Sequence, residues 1–247
     1  MKAMVFAAGL GTRLKPITDT MPKALVPVCG KPLLGHVLSK LRAAGYDEVA
    51  INVHHFPDQI REYLKSNDFG LRIYISDESD MLRETGGGIK HAQPLLCGSD
   101  AAPFLVHNVD IISDLDLGWF RNQMPGDALA ALLVSERKTQ RYLLFDDSMR
   151  LVGWTNLATG EVRSPFPSLQ PGHCRRYAFA GIHNISPAIF QVFREYGCPE
   201  RFPIIDFYLE ACARYPIYGI VPEELTIVDV GKAETLAEAE KLCSRIL

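Results

Sequence analysis

The chain has 247 residues and a formal net charge of −3, and this near-neutral balance argues against binding nucleic acid by phosphate neutralisation. It is 47% hydrophobic and 22% charged, the balance of a globular protein, and its apolar runs are too short to cross a bilayer. Six scattered cysteines without a Cys-x-x-Cys pair argue against a zinc site or a disulfide framework. Because the sequence opens in a strand pattern without a signal peptide, we expect a cytoplasmic protein with no membrane or nucleic-acid partner.

Strand and helix patterns alternate through the first 110 residues. The spacing of apolar and turn residues predicts strands at 2–7, 47–53, 71–75 and 104–107, and helices at 32–44, 57–65 and 88–96. This alternation predicts an α/β domain whose mostly parallel sheet carries helices on both faces. Right-handed crossovers bring the loops after the strands to one edge, where open α/β sheets bind ligands. We expect three polar loops to meet there, namely 9–23, 84–88 and 108–110.

The rest of the chain is richer in strand patterns. It predicts strands at 129–134, 142–145, 151–155, 177–184 and 225–230, and helices after Ser186-Pro187, at 203–214 and from 232 onward. Glycines and prolines cluster in residues 155–176, which predicts an irregular flap. Because no repeat or linker interrupts the chain, we expect a single domain, 1–247, with an elaborated second half.

The loop after the first predicted strand carries the strongest functional signal. An apolar run at 4–8 leads into Gly9-Leu10-Gly11-Thr12-Arg13, and Pro22-Lys23 follows. Small residues after a buried strand leave backbone N–H groups facing outward, and two nearby cations would neutralise polyphosphate oxygens. The spacing does not match a Walker A loop, and Leu14 stands where a dinucleotide fingerprint has its third glycine. The alternative is a tight turn with surface cations.

Two aspartates at the ends of predicted strands are candidate ligands of a divalent cation. Asp110 ends the run 106–110, and Asp229 lies in the run 227–231 beside a glycine. A carboxylate among apolar residues is costly to bury unless it is paired or binds a metal. Mg²⁺ prefers one or two carboxylates together with phosphate oxygens and water, so the pair fits this ion. For each aspartate the alternative is a helix cap or a salt-bridged turn, and Asp229 is close enough to Lys232 to cap the last helix.

Several motifs occur in a fixed order along the chain. They are the segments 10–18 and 22–27, then Glu84-Thr85-Gly86-Gly87-Gly88, Asn108-Val109-Asp110, Phe179-Ala180-Gly181-Ile182 and Val228-Asp229-Val230-Gly231. In this order they resemble the motifs of the sugar-1-phosphate nucleotidylyltransferases over nearly the whole chain. The resemblance implies a Rossmann-like single domain of the nucleotide-diphospho-sugar transferase type. Its nucleotide-binding half would be 1–110, and its β-rich sugar-phosphate-binding half would be 111–247.

The resemblance also implies a role for each matched residue. Arg13, Lys23 and Asp110 are expected to be catalytic, and Asp110 and Asp229 are expected to hold Mg²⁺. The nucleotide would contact a larger set, namely Ala8, Gly9, Gly11, Thr12, Arg13, Lys23, Thr85, Gly86 and Asn108. Gly181 would line the sugar pocket. The sequence departs from the family pattern at Ala24, where proline is common, and at Val109, where glycine is common.

The implied reaction joins a nucleoside triphosphate to a sugar-1-phosphate and releases pyrophosphate. The segment 84–88 most resembles the short enzymes that make UDP-N-acetylmuramic acid, so UTP and N-acetylmuramate-1-phosphate are the expected substrates. Mannose-1-phosphate guanylyltransferases, which use GTP, are the closest alternative. A catalytically silent nucleotide- or sugar-phosphate-binding subunit is an alternative of another class, supported only by Val109. Arg13 inside the loop and the missing glycine disfavour a nicotinamide-dependent oxidoreductase. The sequence predicts no oligomeric state.

Overall fold

The computed structural model describes residues 1–98 and 102–246, and a mixed sheet runs through them. In the first half the described strands are β1 (Lys2–Phe6), β2 (Pro27–Val28), β3 (Lys31–Pro32), β4 (Glu48–Val53), β5 (Arg72–Asp77), β6 (Phe104–Asn108) and β7 (Ile111–Ser113). The helices there are α1 (Leu33–Ala43), α2 (Pro57–Ser66), α3 (Glu84–His91) and α4 (Gln93–Leu96). Strands β5, β4, β1 and β6 lie side by side and run parallel, which confirms the predicted α/β class.

The second half extends this sheet with mostly antiparallel pairs. Its described strands are β8 (Ala130–Ser135), β9 (Arg141–Phe145), β10 (Leu151–Asn156), β11 (Val162–Arg163), β12 (Arg175–Ile185), β13 (Ile217–Ile220) and β14 (Ile227–Asp229). Its helices are α5 (Leu117–Asn122), α6 (Ile189–Glu195), α7 (Ile204–Ala211) and α8 (Ala233–Ile246). The long strand β12 joins the halves, because it pairs with β6 of the parallel sheet and with β8 and β9.

Two hydrophobic cores lie on opposite faces of the sheet. Ala3 and Val5 of β1 belong to one core, and Met4 between them belongs to the other. This division follows from the strand period of two, in which successive side chains point to opposite faces. Helices α1 and α2 pack on the first core, whereas α3, α4, α6 and α7 pack on the second. The prediction of helices on both faces is therefore confirmed.

The expected loop at 84–88 is wrong, because these residues form the first turns of α3. Three consecutive glycines predict irregular backbone, but here they let the helix approach a neighbouring segment. The amides of Gly86 and Gly87 both donate to the carbonyl of Phe202, at 2.8 and 3.2 Å. A Cβ added to Gly86 would lie 2.2 Å from the Phe202 ring, so a side chain at this position would clash. Packing against a distant segment thus overrides the local preference of glycine.

Short elements account for the other differences from the expected order. Strands β7 and β13 and helix α5 have too few residues to show a periodic pattern, and each is held by tertiary contacts. β13 pairs with the buried strand β8, and β7 pairs with β14. The expected flap at 155–176 contains β11, which pairs with β10, and a short 3₁₀ turn at Pro171–His173. Phe166 of this segment packs against the second core.

No helix among the described residues combines the length and the apolar character needed to cross a bilayer.

Candidate active site

A cavity of about 480 Å³ opens at the carboxyl ends of the parallel strands. Most of the residues that line it come from three parts of the chain, namely the segment after β1, the start of α3 and the segment after β6, and Asn52 and Gly231 complete the lining. Each of these parts follows a strand of the parallel sheet, so the strand ends place them together. Of the residues predicted to bind nucleotide, the lining includes Ala8, Gly9, Gly11, Thr12, Arg13, Lys23, Thr85 and Asn108.

The loop after β1 is shaped by Gly11. Its φ of +64° lies in the left-handed region, and an added Cβ would lie 2.8 Å from the Thr18 side chain. The Gly11 carbonyl accepts two hydrogen bonds of 2.8 Å, from the Leu14 amide and from the Thr18 hydroxyl. These bonds close a short 3₁₀ turn over Thr12–Leu14, which leaves Arg13 exposed at the mouth of the cavity. The loop is therefore a folded turn that presents a cation.

Lys23 forms an ion pair with Asp110 across the cavity wall. Its Nζ donates to Asp110 Oδ2, and the two side chains are only 11% and 19% exposed. Lys23 starts a second 3₁₀ turn, and Ala24 beside it is fully buried in the first core. A buried alanine packs without difficulty here, so the departure from proline leaves the lysine in position. Loss of one partner would leave the other charge unpaired and poorly solvated, which destabilises the folded protein more than loss of a surface ion pair does.

Asp110 and Asp229 lie close together although 119 positions separate them in the sequence. Asp229 pairs with Ile111 across the β7–β14 ladder, and the Val230 amide donates to the Asp110 carbonyl at 2.8 Å. Burial, together with the negative charge of Asp110, raises the pKa of Asp229, while Lys23 is among the cations that oppose this. Asp229 Oδ1 is buried without a hydrogen-bond partner. Among the described residues, Asp229 Oδ1 is thus a carboxylate oxygen of the site that has no hydrogen-bond donor.

Gly231 lies between the Asp229 carboxylate and the loop that carries Arg13. A Cβ at this position would lie 2.8 Å from Asp229 Oδ1 and 2.9 Å from Arg13 Nη2. A side chain at position 231 would therefore clash with both the Asp229 carboxylate and the Arg13 guanidinium, so glycine leaves room for both groups. The structure therefore brings together four predicted residues, namely Arg13, Lys23, Asp110 and Asp229. Their chemical roles stay predictions.

The donor set fits a hard divalent cation. Two carboxylates are the number of protein ligands with which Mg²⁺ is commonly bound, since phosphate oxygens and water complete its shell. The unpartnered Oδ1 of Asp229 is the kind of atom that such a cation would satisfy. In the described parts of the chain, no group of three or more His, Cys, Asp or Glu side chains is arranged for a metal. A site of this kind would therefore depend on oxygens from the substrates.

The remaining predicted residues fall into two groups. Thr85 and Asn108 line the cavity, and the Thr85 hydroxyl also accepts the Ile204 amide at 2.9 Å. Gly86 and Gly181 lie behind the lining. Gly86 packs on Phe202, and a Cβ on Gly181 would lie 2.8 Å from Asn108 Nδ2. For these glycines the structure shows a packing role, and their predicted contacts with substrate stay predictions.

Val109, the second departure from the family pattern, is a buried core residue. It is 4% exposed and belongs to the first hydrophobic core. Its amide donates to the Phe6 carbonyl at 3.2 Å, which continues the pairing of β6 with β1. The valine side chain thus adds apolar packing, and Val109 is also among the residues that line the cavity.

Sequence reasoning missed two polar side chains at this site. Asn52 lines the cavity, is 2% exposed, and its Oδ1 accepts the Ala7 and Ala8 amides at 2.8 and 3.3 Å. The Ala8 amide expected to face a phosphate is therefore already bonded. A polar residue at the end of an apolar strand is the signal that indicates Asn52. Arg137 donates to the Phe179 carbonyl at 2.9 Å, and its positive charge opposes the rise in the pKa of Asp229; no motif marks it.

Glu84 has a strained backbone at the cavity wall, with φ of +60°. Its carboxylate accepts a bond of 3.1 Å from Arg201, and this pair is partly exposed. We expect Glu84→Gly to be about 1 kcal/mol more stable than Glu84→Ala, since both lose the ion pair but only alanine retains the left-handed penalty. Urea unfolding of the two variants measures the difference. An alanine variant as stable as the glycine variant would contradict the strain.

Comparison with known proteins places this fold and site in a family. The model of the nucleotidyl transferase family matches residues 2–140, which is more than half of the chain. The chain therefore belongs to the nucleotidyl transferase family, and it is an enzyme of the sugar-1-phosphate nucleotidyltransferase class.

Individual relatives show how far the similarity extends along the chain. The chain is 35% identical over 246 residues to an N-acetylmuramate alpha-1-phosphate uridylyltransferase of Caulobacter vibrioides, covering 96% of this chain and 95% of the relative. It is 38% identical over 116 residues to a mannose-1-phosphate guanyltransferase of Hypocrea jecorina, covering 46% of this chain and 31% of that protein. A solved structure described as a putative glucose-1-phosphate thymidylyltransferase of Bacillus anthracis has the same fold, with a TM-score of 0.80 at 19% identity over 100% of this chain and 96% of that one.

Proposed function

We propose that this enzyme transfers a uridylyl group from UTP to N-acetylmuramate-1-phosphate in a Mg²⁺-dependent reaction. The observation that carries the reaction class is that Arg13 and Asp229 both lie beside Gly231, and that Lys23, paired with Asp110, and Arg13 both act electrostatically on Asp229. Two cations and two carboxylates at one sheet edge suit the alignment of two phosphate anions. The choice of substrates is supported by the uridylyltransferase relative, because the match extends over 96% of this chain.

The reaction balances without a general base. A phosphate oxygen of the sugar-1-phosphate attacks the α-phosphorus of UTP, and a new P–O bond forms. The bond between the α-phosphorus and its bridging oxygen breaks, and pyrophosphate leaves with the electron pair. The second pKa of a phosphate monoester is about 6, so the attacking oxygen is already anionic at neutral pH. The enzyme must therefore overcome repulsion between two anions.

The proposed roles of the charged residues follow from this repulsion. Mg²⁺ would be held by Asp110 and Asp229 and would neutralise charge on the reacting phosphates. Arg13 would bind the β- and γ-oxygens with its planar guanidinium as the leaving group gains charge. Lys23 would act as a point charge beside the reacting phosphates, where Asp110 holds its side chain.

The other predicted contacts complete the proposal. Gly9, Gly11 and Thr12 would approach the nucleotide through the loop backbone, with Ala8 at its start. Thr85 and Gly86 would contact the base or ribose, Asn108 the ribose or the metal loop, and Gly181 the sugar. The division into a nucleotide half at 1–110 and a sugar-phosphate half at 111–247 belongs to this proposal, as do a role in cell-wall metabolism and a cytoplasmic location.

Substrate specificity is tested by a matrix of UTP, GTP, CTP and dTTP against several sugar-1-phosphates, scored by pyrophosphate release. We expect the highest kcat/KM for UTP with N-acetylmuramate-1-phosphate. A preference for GTP with mannose-1-phosphate would favour the guanylyltransferase alternative. Absence of pyrophosphate with every pair would favour a silent binding subunit and overturn the proposal. Tight binding of NAD would favour the oxidoreductase alternative.

A further inference from the structure

A series of buried hydrogen bonds connects the start of α3 to the start of the loop after β1, which is the proposed phosphate loop. Asn52, at the carboxyl end of β4, accepts the Ala7 and Ala8 amides with its Oδ1. Its Nδ2 donates to Glu78 Oε1 at 2.8 Å, and Glu78 Oε2 accepts the Arg83 amide at 3.1 Å. Four hydrogen bonds thus link residues 7 and 8 with the residue before α3. The last residue of this hydrogen-bonded series, Arg83, directly precedes Glu84, which lines the cavity.

Burial makes these bonds costly to lose. Asn52 is 2% exposed and Glu78 is fully buried, so water cannot replace a missing partner. The Arg83 side chain pairs with Asp80 and Glu200, whereas its backbone amide serves Glu78. The carboxylate of Glu78 therefore depends on neutral N–H donors. Among the described residues, the donors to this buried carboxylate are the Asn52 side-chain amide and the Arg83 backbone amide, which fix the positions of the groups that they belong to.

Donor and acceptor roles require an amide at 52 and a carboxylate at 78. Both oxygens of Glu78 face N–H groups, so a glutamine at this position would turn its NH₂ group toward a donor in either orientation. Asn52 presents its oxygen to two amides and its NH₂ group to Glu78. An aspartate there would face the Glu78 carboxylate with a second negative charge. Each single replacement therefore creates one buried conflict.

The two replacements made together remove the conflict. With Asn52→Asp and Glu78→Gln, the introduced carboxylate still accepts the Ala7 and Ala8 amides. The introduced amide donates to it and offers its own oxygen to the Arg83 amide. Every donor again faces an acceptor, with one buried negative charge as before. Rescue by the double variant is a result that general destabilisation does not produce.

We propose that Asn52 and Glu78 are positioning residues for the nucleoside triphosphate. They hold the first residues of the phosphate loop at a fixed distance from the cavity-lining start of α3. The proposal rests on the proposed function, in which the loop binds the phosphates and α3 contacts the base or ribose. Because the sugar-1-phosphate is assigned to the second half of the chain, loosening of this pair weakens triphosphate binding selectively.

The experiment compares the wild type with N52D, E78Q and the double variant. We expect each single variant to raise KM for the triphosphate by about tenfold, as loss of one buried hydrogen bond corresponds to about 1.4 kcal/mol. KM for the sugar-1-phosphate should change by less than about twofold, a difference below 0.5 kcal/mol. The double variant should return the triphosphate KM to within about threefold of the wild-type value. Asn52→Ala replaces N52D if that variant does not fold.

Tyr208→Phe is the matched control. Its hydroxyl lies 2.8 Å from His183 Nδ1 and is also fully buried, but it belongs to the second core and does not line the cavity. It should lower the melting temperature without changing KM for the triphosphate. Single variants that leave this KM unchanged, or that raise both KM values equally, would overturn the proposal. So would a double variant no better than the singles.

Two further measurements separate this proposal from the proposed function. Amide hydrogen exchange at residues 7, 8 and 83 should speed up in each single variant and slow again in the double variant. Titration with a non-hydrolysable UTP analogue should show the same order of affinities. If the wild type releases no pyrophosphate with any substrate pair, the proposed function fails, while exchange and titration still decide the role of the pair.

Discussion

Asp110→Asn lowers kcat by at least about a hundredfold, the size of effect seen when one electrostatic contact to a transition state is lost. The substitution removes one of two carboxylates from the candidate cation site and also leaves Lys23 without its partner. Because the Lys23 side chain is only 11% exposed, we expect the free energy of unfolding to fall as well, by about 1–3 kcal/mol. Steady-state pyrophosphate release and urea unfolding measure the two effects separately.

Asp58→Asn is the control for this prediction. The Asp58 side chain is 93% exposed on α2 and pairs with Arg61, so its loss removes a carboxylate of equal charge that does not line the cavity. We expect its kcat to match the wild type. Near-normal turnover of Asp110→Asn at saturating Mg²⁺ would refute the role assigned to this residue. A fall in turnover that stabilising co-solvents restore would indicate misfolding instead.

Asp229→Asn is expected to lower turnover, as Asp110→Asn does, but to raise the stability of the folded protein, which Asp110→Asn lowers. In the absence of Mg²⁺ we expect the variant to be more stable than the wild type, with a free energy of unfolding that is larger by about 1–2 kcal/mol. The reason is that the substitution neutralises a partly buried charge near Asp110. The unpartnered Oδ1 and the raised pKa of Asp229 both indicate that the charge is unfavourable in the folded protein. Turnover should nevertheless fall by at least about a hundredfold.

Thermal unfolding with and without Mg²⁺ tests the reason for this cost. Mg²⁺ should raise the melting temperature of the wild type by binding the folded state, and the rise should be much smaller for Asp229→Asn. Asp58→Asn should respond like the wild type. If Asp229→Asn is less stable than the wild type without Mg²⁺, the carboxylate has a structural partner and the assignment is wrong. An equal response to Mg²⁺ in both proteins would place the ion elsewhere.

Local patterns were sufficient for the parallel strands β1, β4, β5 and β6 and for the helix α1. The predicted strand at 47–53 corresponds to β4 at Glu48–Val53, and the predicted helix at 32–44 corresponds to α1 at Leu33–Ala43. Both have strong apolar patterns and clear ends, and both are buried where the pattern indicates. The short strands β7 and β13 could not be predicted in this way. Their pairing with distant strands, rather than their own residues, holds them in place.

The candidate site shows the same division. The loop containing Arg13 and Lys23 and the two aspartates could be identified from the sequence, because charged residues directly after apolar strands indicate a ligand site. The helical start of α3 could not, since Gly86 and Gly87 pack against a segment more than a hundred positions away. The Asn52–Glu78 connection is equally hidden, because each member is an ordinary polar residue until the fold places it beside the other.

The sequence by itself therefore determined the α/β class and identified the loop with Arg13 and Lys23 and the two aspartates as candidates for the site. These properties depend on neighbouring residues and on the alternation of strands and helices. Only the tertiary structure decided that Asp229 lies beside Asp110 and that Gly231 lies beside both Asp229 and Arg13. It also decided that Asn52 accepts a hydrogen bond from the backbone at the start of the loop after β1. Such meetings depend on strand pairing and close packing between distant segments, and no local pattern in the sequence carries that information.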